Sequence, residues 1–192
     1  MIYNPEKREI ICERELSNLD KLVLKFIKIL EKDLNYVIIS GYVAILLGRS
    51  RATEDVDIFI RKIDKERFFI FYEDLKKEGF WCINAEKPED LFSYLNEGLA
   101  VRFALKNTSI PNFEVKIVKK EDEEVFDDFI LVKLKEGNLK ISSIERQIAF
   151  KRYFLRSKKD MEDALHVEKI FKDRIDYNKI NKLKEIIEKR KH

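Results

Sequence analysis

The sequence predicts an α/β (α+β) fold, and three patterns predict it. Short β-branched runs alternate with stretches of helical period through the first two-thirds of the chain. Two more strand-like runs, "LAVRFAL" and "NFEVKIV", are joined by "KNTSIPN", a loop short enough for a hairpin. From Ser142 onward the pattern is helical. The composition changes near "KEGNLK", which sets an expected border between an α/β part, residues 1–138, and a C-terminal helical section, residues 139–192, packed on it.

The elements follow in order. "SNLDKLVLKFIKILEKDL" places Leu19, Leu22, Val23, Phe26, Ile27 and Leu30 at helical spacing, and Ser17 with Asp20 forms a candidate capping box. "YVIIS" is apolar and β-branched, as a buried strand is. Gly41 breaks it, and "YVAILLG" fits a short buried helix stopped at Gly48. "DVDIFI" is the next strand. "DKERFFIFYEDLKKEG" is an amphipathic helix ended by Gly79, and "KPEDLFSYLNEG" a short helix with Pro88 near its start. The acidic "EDEEVFDDFI" is expected to be a short helix. In the last section, "SSIERQIAFKRYFL" opens with the pair Ser142 and Glu145, and "SKKDMEDALHVEKIF" with Ser157 and Asp160. "NKINKLKEIIEKRK" follows.

Composition narrows the chemistry. The 192 residues are 45% apolar, enough for one core, and the 39% that are charged nearly cancel to +3, which excludes a strongly basic nucleic-acid coat. Lys and Glu are abundant while Gln147 is the sole glutamine, a bias found in proteins from hot environments. Cys12 and Cys82 stand far apart, and no apolar run approaches a membrane span. "IYNPEKREII" after Met1 lacks a signal-peptide core, so a reduced, cytoplasmic, soluble protein is expected, with no membrane partner. With His166 and His192 as the only histidines, a zinc site of the usual His/Cys kind is excluded. Any metal ligands are then oxygens, which suits magnesium or manganese.

The chemistry concentrates in "SGYVAILLGRSRATEDVDIFI". On a strand, Val56, Ile58 and Ile60 share one face and Asp55, Asp57 and Phe59 the other, with the carboxylates about 6–7 Å apart along the strand. Two anions this close repel and raise a pKa unless a cation lies between them. The alternative is that both lie on the solvent face of an edge strand. Upstream, Gly41 sits at a strand-to-helix junction of the kind that turns backbone N–H groups toward phosphates. Arg51 and Thr53 stand between that junction and the carboxylates.

Residues 36–61 resemble the DNA polymerase β-like nucleotidyltransferase superfamily, whose signature is a Gly-Gly or Gly-Ser turn, a spacer and an acidic-apolar-acidic strand. "GRSRATEDVDI" is similar to the minimal nucleotidyltransferases and AbiEii-type toxins, matching at Arg51, Thr53, Asp55 and Asp57. The resemblance implies a mixed sheet of about four or five strands flanked by helices, with the helical section forming the other wall of a cleft. It also implies Mg2+ or Mn2+ held by Asp55, Asp57 and a third acid, an NTP (ATP included) as substrate, and transfer of a nucleoside monophosphate to an acceptor hydroxyl. The acceptor is left open between tRNA or another RNA, a protein and a small molecule, and an antitoxin-like partner is implied by analogy. Ser40, Gly41, Arg51 and Thr53 are the expected nucleotide contacts. Tyr42 stands where the family has a second small residue, and Ser40 is the candidate to supply the hydroxyl.

Glu114 in "NFEVKIV" is the candidate third acid, on the face opposite Phe113, Val115 and Ile117. Its alternative is a surface glutamate paired with Lys116 or Arg102. Lys151, Lys159, Asp160 and Asp163 match the toxin relatives loosely. Lys151 is expected to neutralise the triphosphate and Asp160 to orient it or act as a base. Equally, Asp160 caps a helix and the lysines form a solvated face. The other reading of the whole is a catalytically silent module of this fold that binds RNA or a partner protein.

Overall fold

The computed structural model describes residues 1–190, so Lys191, the end of the last expected helix, and His192 lie outside the described residues. Among these residues nine strands form one mixed sheet in the order β1-β2-β8-β9-β3-β4-β7-β6-β5. The strands are β1 (Ile2–Asn4), β2 (Glu9–Ile11), β3 (Tyr36–Ile39), β4 (Asp55–Ile60), β5 (Phe80–Cys82), β6 (Val101–Leu105), β7 (Asn112–Ile117), β8 (Phe129–Leu134) and β9 (Gly137–Ser142). The helices are α1 (Asn18–Leu30), α2 (Ser40–Leu46), α3 (Lys65–Lys77), α4 (Pro88–Asn96), α5 (Ile144–Ala149), α6 (Lys158–Phe171) and α7 (Tyr177–Lys189). α5 runs on into a π-helical turn, Phe150–Leu155. No helix among the described residues is long and apolar enough to cross a membrane.

The sheet is larger than the four or five strands expected. β1, β2 and β5 have three residues each and exist through pairing with their neighbours, so no local pattern announces them. The β8–β9 hairpin was legible as alternation, with Ile130, Val132, Leu134, Leu139 and Ile141 all buried, but its Lys- and Leu-rich composition obscured it. The acidic segment is a short helix as expected, a 3-10 helix over Lys120–Phe126, except that its last residues, Phe129 and Ile130, begin β8. The border expected after residue 138 falls inside β9. The cap of α5 is Ser143 rather than Ser142, because Ser142 still belongs to β9.

The remaining elements form for the reasons their residues suggest. Ser17 and Asp20 cap α1 reciprocally, Asp64 caps α3, and Ser157 caps α6. Gly48 and Gly79 end their helices at φ 94 and 83. Phe26 of α1 stacks on Phe113 of β7 with centroids 3.9 Å apart, and Phe71, Phe80 and Phe103 surround it. This aromatic cluster holds one face of β7 in the core, so the residue between Phe113 and Val115 must face the other way.

A second anchor lies at the start of α1. Asp20 is fully buried and accepts from Arg14 at 2.7 and 2.9 Å, from Ser17, and from the Tyr42 hydroxyl at 2.8 Å. Burial pushes this carboxyl up, but the hydrogen bonds from Arg14, Ser17 and Tyr42 outweigh it and hold the pKa at about 2. Tyr42 therefore points into the core, away from the Gly41 turn. Breaking this network leaves buried charge unpaired. Asp20→Asn is expected to lower the unfolding free energy by about 3 kcal/mol and Tyr42→Phe by about 1 kcal/mol, measured by urea denaturation at neutral pH. Equal, small losses would show that Asp20 is not the centre of the network.

Candidate active site

β4 lies between β3, antiparallel, and β7, parallel, with Asp57 opposite Ile39 on one side and beside Glu114 on the other. Asp55 pairs with Asn112 in the same register. Val56, Ile58 and Ile60 fill the core while Asp55 and Asp57 are half-buried on the other face. Parallel pairing puts Glu114 on that face as well, so the structure brings the three acids into one region.

Thr53 Oγ1 lies 3.0 Å from the Asp55 carbonyl oxygen and 3.3 Å from its carboxylate. Ser40 directly follows Ile39, the strand partner of Asp57, and favours the ionised form of that aspartate. Burial, then the neighbouring Asp55 and Glu114 charges, push Asp57 up to about 6, although Lys116 and Ser40 act in the opposite sense. Glu114 behaves differently. Burial raises its pKa, but Lys116 and Arg102 together bring it below the ordinary glutamate value. Arg102 reaches it at 2.7–2.8 Å, and the Lys116 ammonium is in direct contact. Glu114 thus shares the face of the aspartates and is ion-paired to both expected cations, but it is buried rather than a surface glutamate.

Among the described residues, no group of three or more His, Cys, Asp or Glu is arranged to hold a metal ion. The donors at Asp55 and Asp57 are hard carboxylate oxygens, and burial together with the neighbouring Asp55 charge raises Asp57, a situation a divalent cation relieves. The aspartate pair therefore fits magnesium or manganese. Glu114 is engaged by two cations and would have to leave one of them to join the ion.

The β3–α2 junction shapes the other side. Ser40 has φ 63, in the left-handed region. At Gly41, an added Cβ would lie 2.5 Å from Arg51 Nη2 and 3.3 Å from Thr53 Oγ1, so only glycine allows the guanidinium to pack there. Arg51 is in turn held by Asp163 of α6, with Nε at 3.1 Å and Nη2 at 2.9 Å. Lys151, from the π-helical turn, reaches the same carboxylate at 3.0 Å, and Arg49 Nε lies 3.4 Å away. Asp163 is 0% exposed and Lys151 1%.

The expected roles in the helical section shift accordingly. Asp160 closes the N-terminal cap with Ser157, as its bland alternative held, and lies 3.5 Å from Lys151. Lys151 is a buried partner of Asp163 rather than a free cation. The residue that joins the two halves is Asp163, named in the sequence only as a loose match. Its signal was its place beside Ala164, Val167 and Phe171 on the buried stripe of α6. His166 is half-buried, with Nε2 3.3 Å from the Leu47 carbonyl, in a packing role.

Two measurements test these assignments. Because folded Asp57 holds its proton more tightly than the unfolded chain does, ionising it opposes folding. The penalty is absent below the ordinary value of 3.8, grows as pH rises to about 6, and is complete above it. Asp57→Asn is then expected to stabilise the divalent-free protein by up to about 3 kcal/mol at pH 8 and by little at pH 4, read by urea unfolding. A gain independent of pH would refute the crowding. Asp163→Asn is expected to cost about 3–5 kcal/mol and Asp160→Ala about 1 kcal/mol in the same assay, and a reversed order would move the hub to Asp160.

No protein-family model matches the sequence, and no curated protein matches it. Solved structures do. The antibiotic-resistance factor ANT(2'')-Ia superposes with a TM-score of 0.56 at 14% identity, covering 88% of this chain and 91% of its own. The lincosamide antibiotic adenylyltransferase LnuA, solved with lincomycin bound, gives 0.55 at 14% identity over 82% of this chain and 99% of its own. An antigenic nucleotidyltransferase-like protein from Paracoccidioides brasiliensis gives 0.51 at 16% identity over 87% and 85%. At these identities the likeness is one of fold. The chain has the mixed α/β fold of these nucleotidyltransferase structures.

Proposed function

We propose that the protein is a metal-dependent nucleotidyltransferase that moves a nucleoside monophosphate from an NTP to an acceptor hydroxyl. The observation that carries this is the crowded Asp55–Asp57 pair beside the Ser40–Gly41 turn, within a fold shared with nucleotidyltransferases. LnuA is an adenylyltransferase, and ANT(2'')-Ia was solved with adenylyl-2''-tobramycin, so ATP is the first nucleotide to try. A magnesium ion held by Asp55 and Asp57 would neutralise charge on the triphosphate oxygens and the leaving group.

The chain's own residues do the rest. Thr53 hydrogen-bonds to Asp55 before the nucleotide arrives. Gly41 leaves the turn without a side chain, and Arg51 above it presents a guanidinium already oriented by Asp163. Lys151 stiffens that arrangement from behind and contributes to the positive potential. The acceptor oxygen forms a bond to the α-phosphorus as the bond to the bridging oxygen breaks, and pyrophosphate leaves. Glu114 is the carboxylate outside the aspartate pair, and once it leaves Arg102 or Lys116 it takes the acceptor's proton. The acceptor is a hydroxyl of an RNA end, a protein or a small molecule.

One observation favours the silent-module alternative: Arg51, Lys151 and Glu114 are all compensated internally. Calorimetry separates the two, because a silent module shows no magnesium-dependent ATP binding in the cleft. For the enzyme, label transfer from radiolabelled NTP is expected to fall at least about a hundredfold in Asp57→Ala and to stop on chelation of divalent ions. Equal transfer by wild type and variant would remove the proposed chemistry.

A further inference from the structure

Gln147 is the one glutamine in a chain whose composition otherwise avoids that residue, and it is buried in α5. Orienting its amide by its partners places Oε1 3.2 Å from the Ser40 N and Nε2 3.3 Å from the Ser40 carbonyl oxygen, while the Ser142 hydroxyl donates to the same Oε1. One side chain thus engages both backbone polar groups of a single residue. That residue has a left-handed backbone, φ 63, which a serine adopts only when its surroundings hold it there.

A buried amide must find partners somewhere. These partners belong to the residue at the bend between β3 and α2, which follows Ile39, the strand partner of Asp57, and precedes Gly41 under Arg51. From this geometry we infer that Gln147 is a positioning residue of the candidate active site: its amide holds Ser40 left-handed and so sets the path of the chain from Ile39, the strand partner of Asp57, into the Gly41 turn. The inference rests on the nucleotidyltransferase reading for its effect on ligand binding, but not for its effect on the backbone.

The test uses the full chain with Gln147→Met, which keeps the length and loses both polar contacts, and Gln147→Glu, which keeps an acceptor for the Ser40 N–H and loses the donor. Ser40 backbone carbon shifts by NMR report the sign of φ, calorimetry reports magnesium–ATP affinity, and thermal unfolding reports folding. In folded Gln147→Met, Ser40 is expected to leave the left-handed region and magnesium–ATP affinity to fall about tenfold, with Gln147→Glu between it and wild type. If the Met variant does not fold, the Glu variant decides by the same two readouts. A Ser40 that stays left-handed without the Gln147 amide overturns the proposal, as does a displaced Ser40 with unchanged affinity. If wild type binds no magnesium–ATP, the nucleotide reading falls by itself, and the Ser40 shifts still decide whether Gln147 sets this backbone.

Discussion

A strand shows successive side chains to opposite faces, and β4 and β7 run parallel with Asp57 beside Glu114. Val56, Ile58 and Ile60 on one strand and Phe113 and Val115 on the other are buried in the same core, where Phe26 stacks on Phe113. A slip of one residue in either strand would drive a carboxylate into that core and a hydrocarbon into the cleft. The meeting of the acids is therefore a consequence of apolar packing on the far side of the sheet. The core sets the register, and the register sets the site.

The acids on this scaffold fall into two kinds. Asp20, Asp163 and Glu114 each have cationic partners, and each is buried. A buried carboxylate without such a partner would cost several kcal/mol, so these pairs are mutually required, whatever their net contribution to stability. Asp55 has a hydroxyl partner, Thr53, and neither Asp55 nor Asp57 has a salt bridge among the described residues. The uncompensated pair is the one crowded enough to raise a pKa. What sets the aspartate pair apart from the other buried acids is charge left unbalanced, not acidity as such.

What was legible in the sequence was whatever depends on neighbours along the chain. The strand at Asp55–Ile60, the Ser17–Asp20 cap, the stops at Gly48 and Gly79 and the parity of Glu114 all follow from local spacing. What was not legible depends on contacts across more than a hundred residues. Arg51 and Asp163 are 112 positions apart, and no local pattern distinguishes an acid that caps, Asp160, from one that gathers three cations, Asp163. The three-residue strands share this character, since pairing makes them. Gln147 was visible as an oddity of composition, but nothing local pointed it at Ser40.

Tyr42 shows how a bulky residue beside a turn glycine is absorbed. A bulky residue after the turn glycine would obstruct a ligand if its side chain faced the cleft. Here the first turn of α2 directs it into the core, where its hydroxyl joins Asp20 and through it Arg14 and Ser17. The turn is then held from three directions: below by Tyr42 on Asp20, behind by the Gln147 amide on Ser40, and above by Arg51 resting on Gly41. A left-handed serine and a glycine would be mobile in a free loop, because each has other conformations within reach. Anchored at consecutive residues 40, 41 and 42, the same short stretch becomes a rigid ledge beside the aspartates. Preorganisation of this kind is what phosphoryl-group chemistry demands of a protein, since most of its contribution lies in positioning.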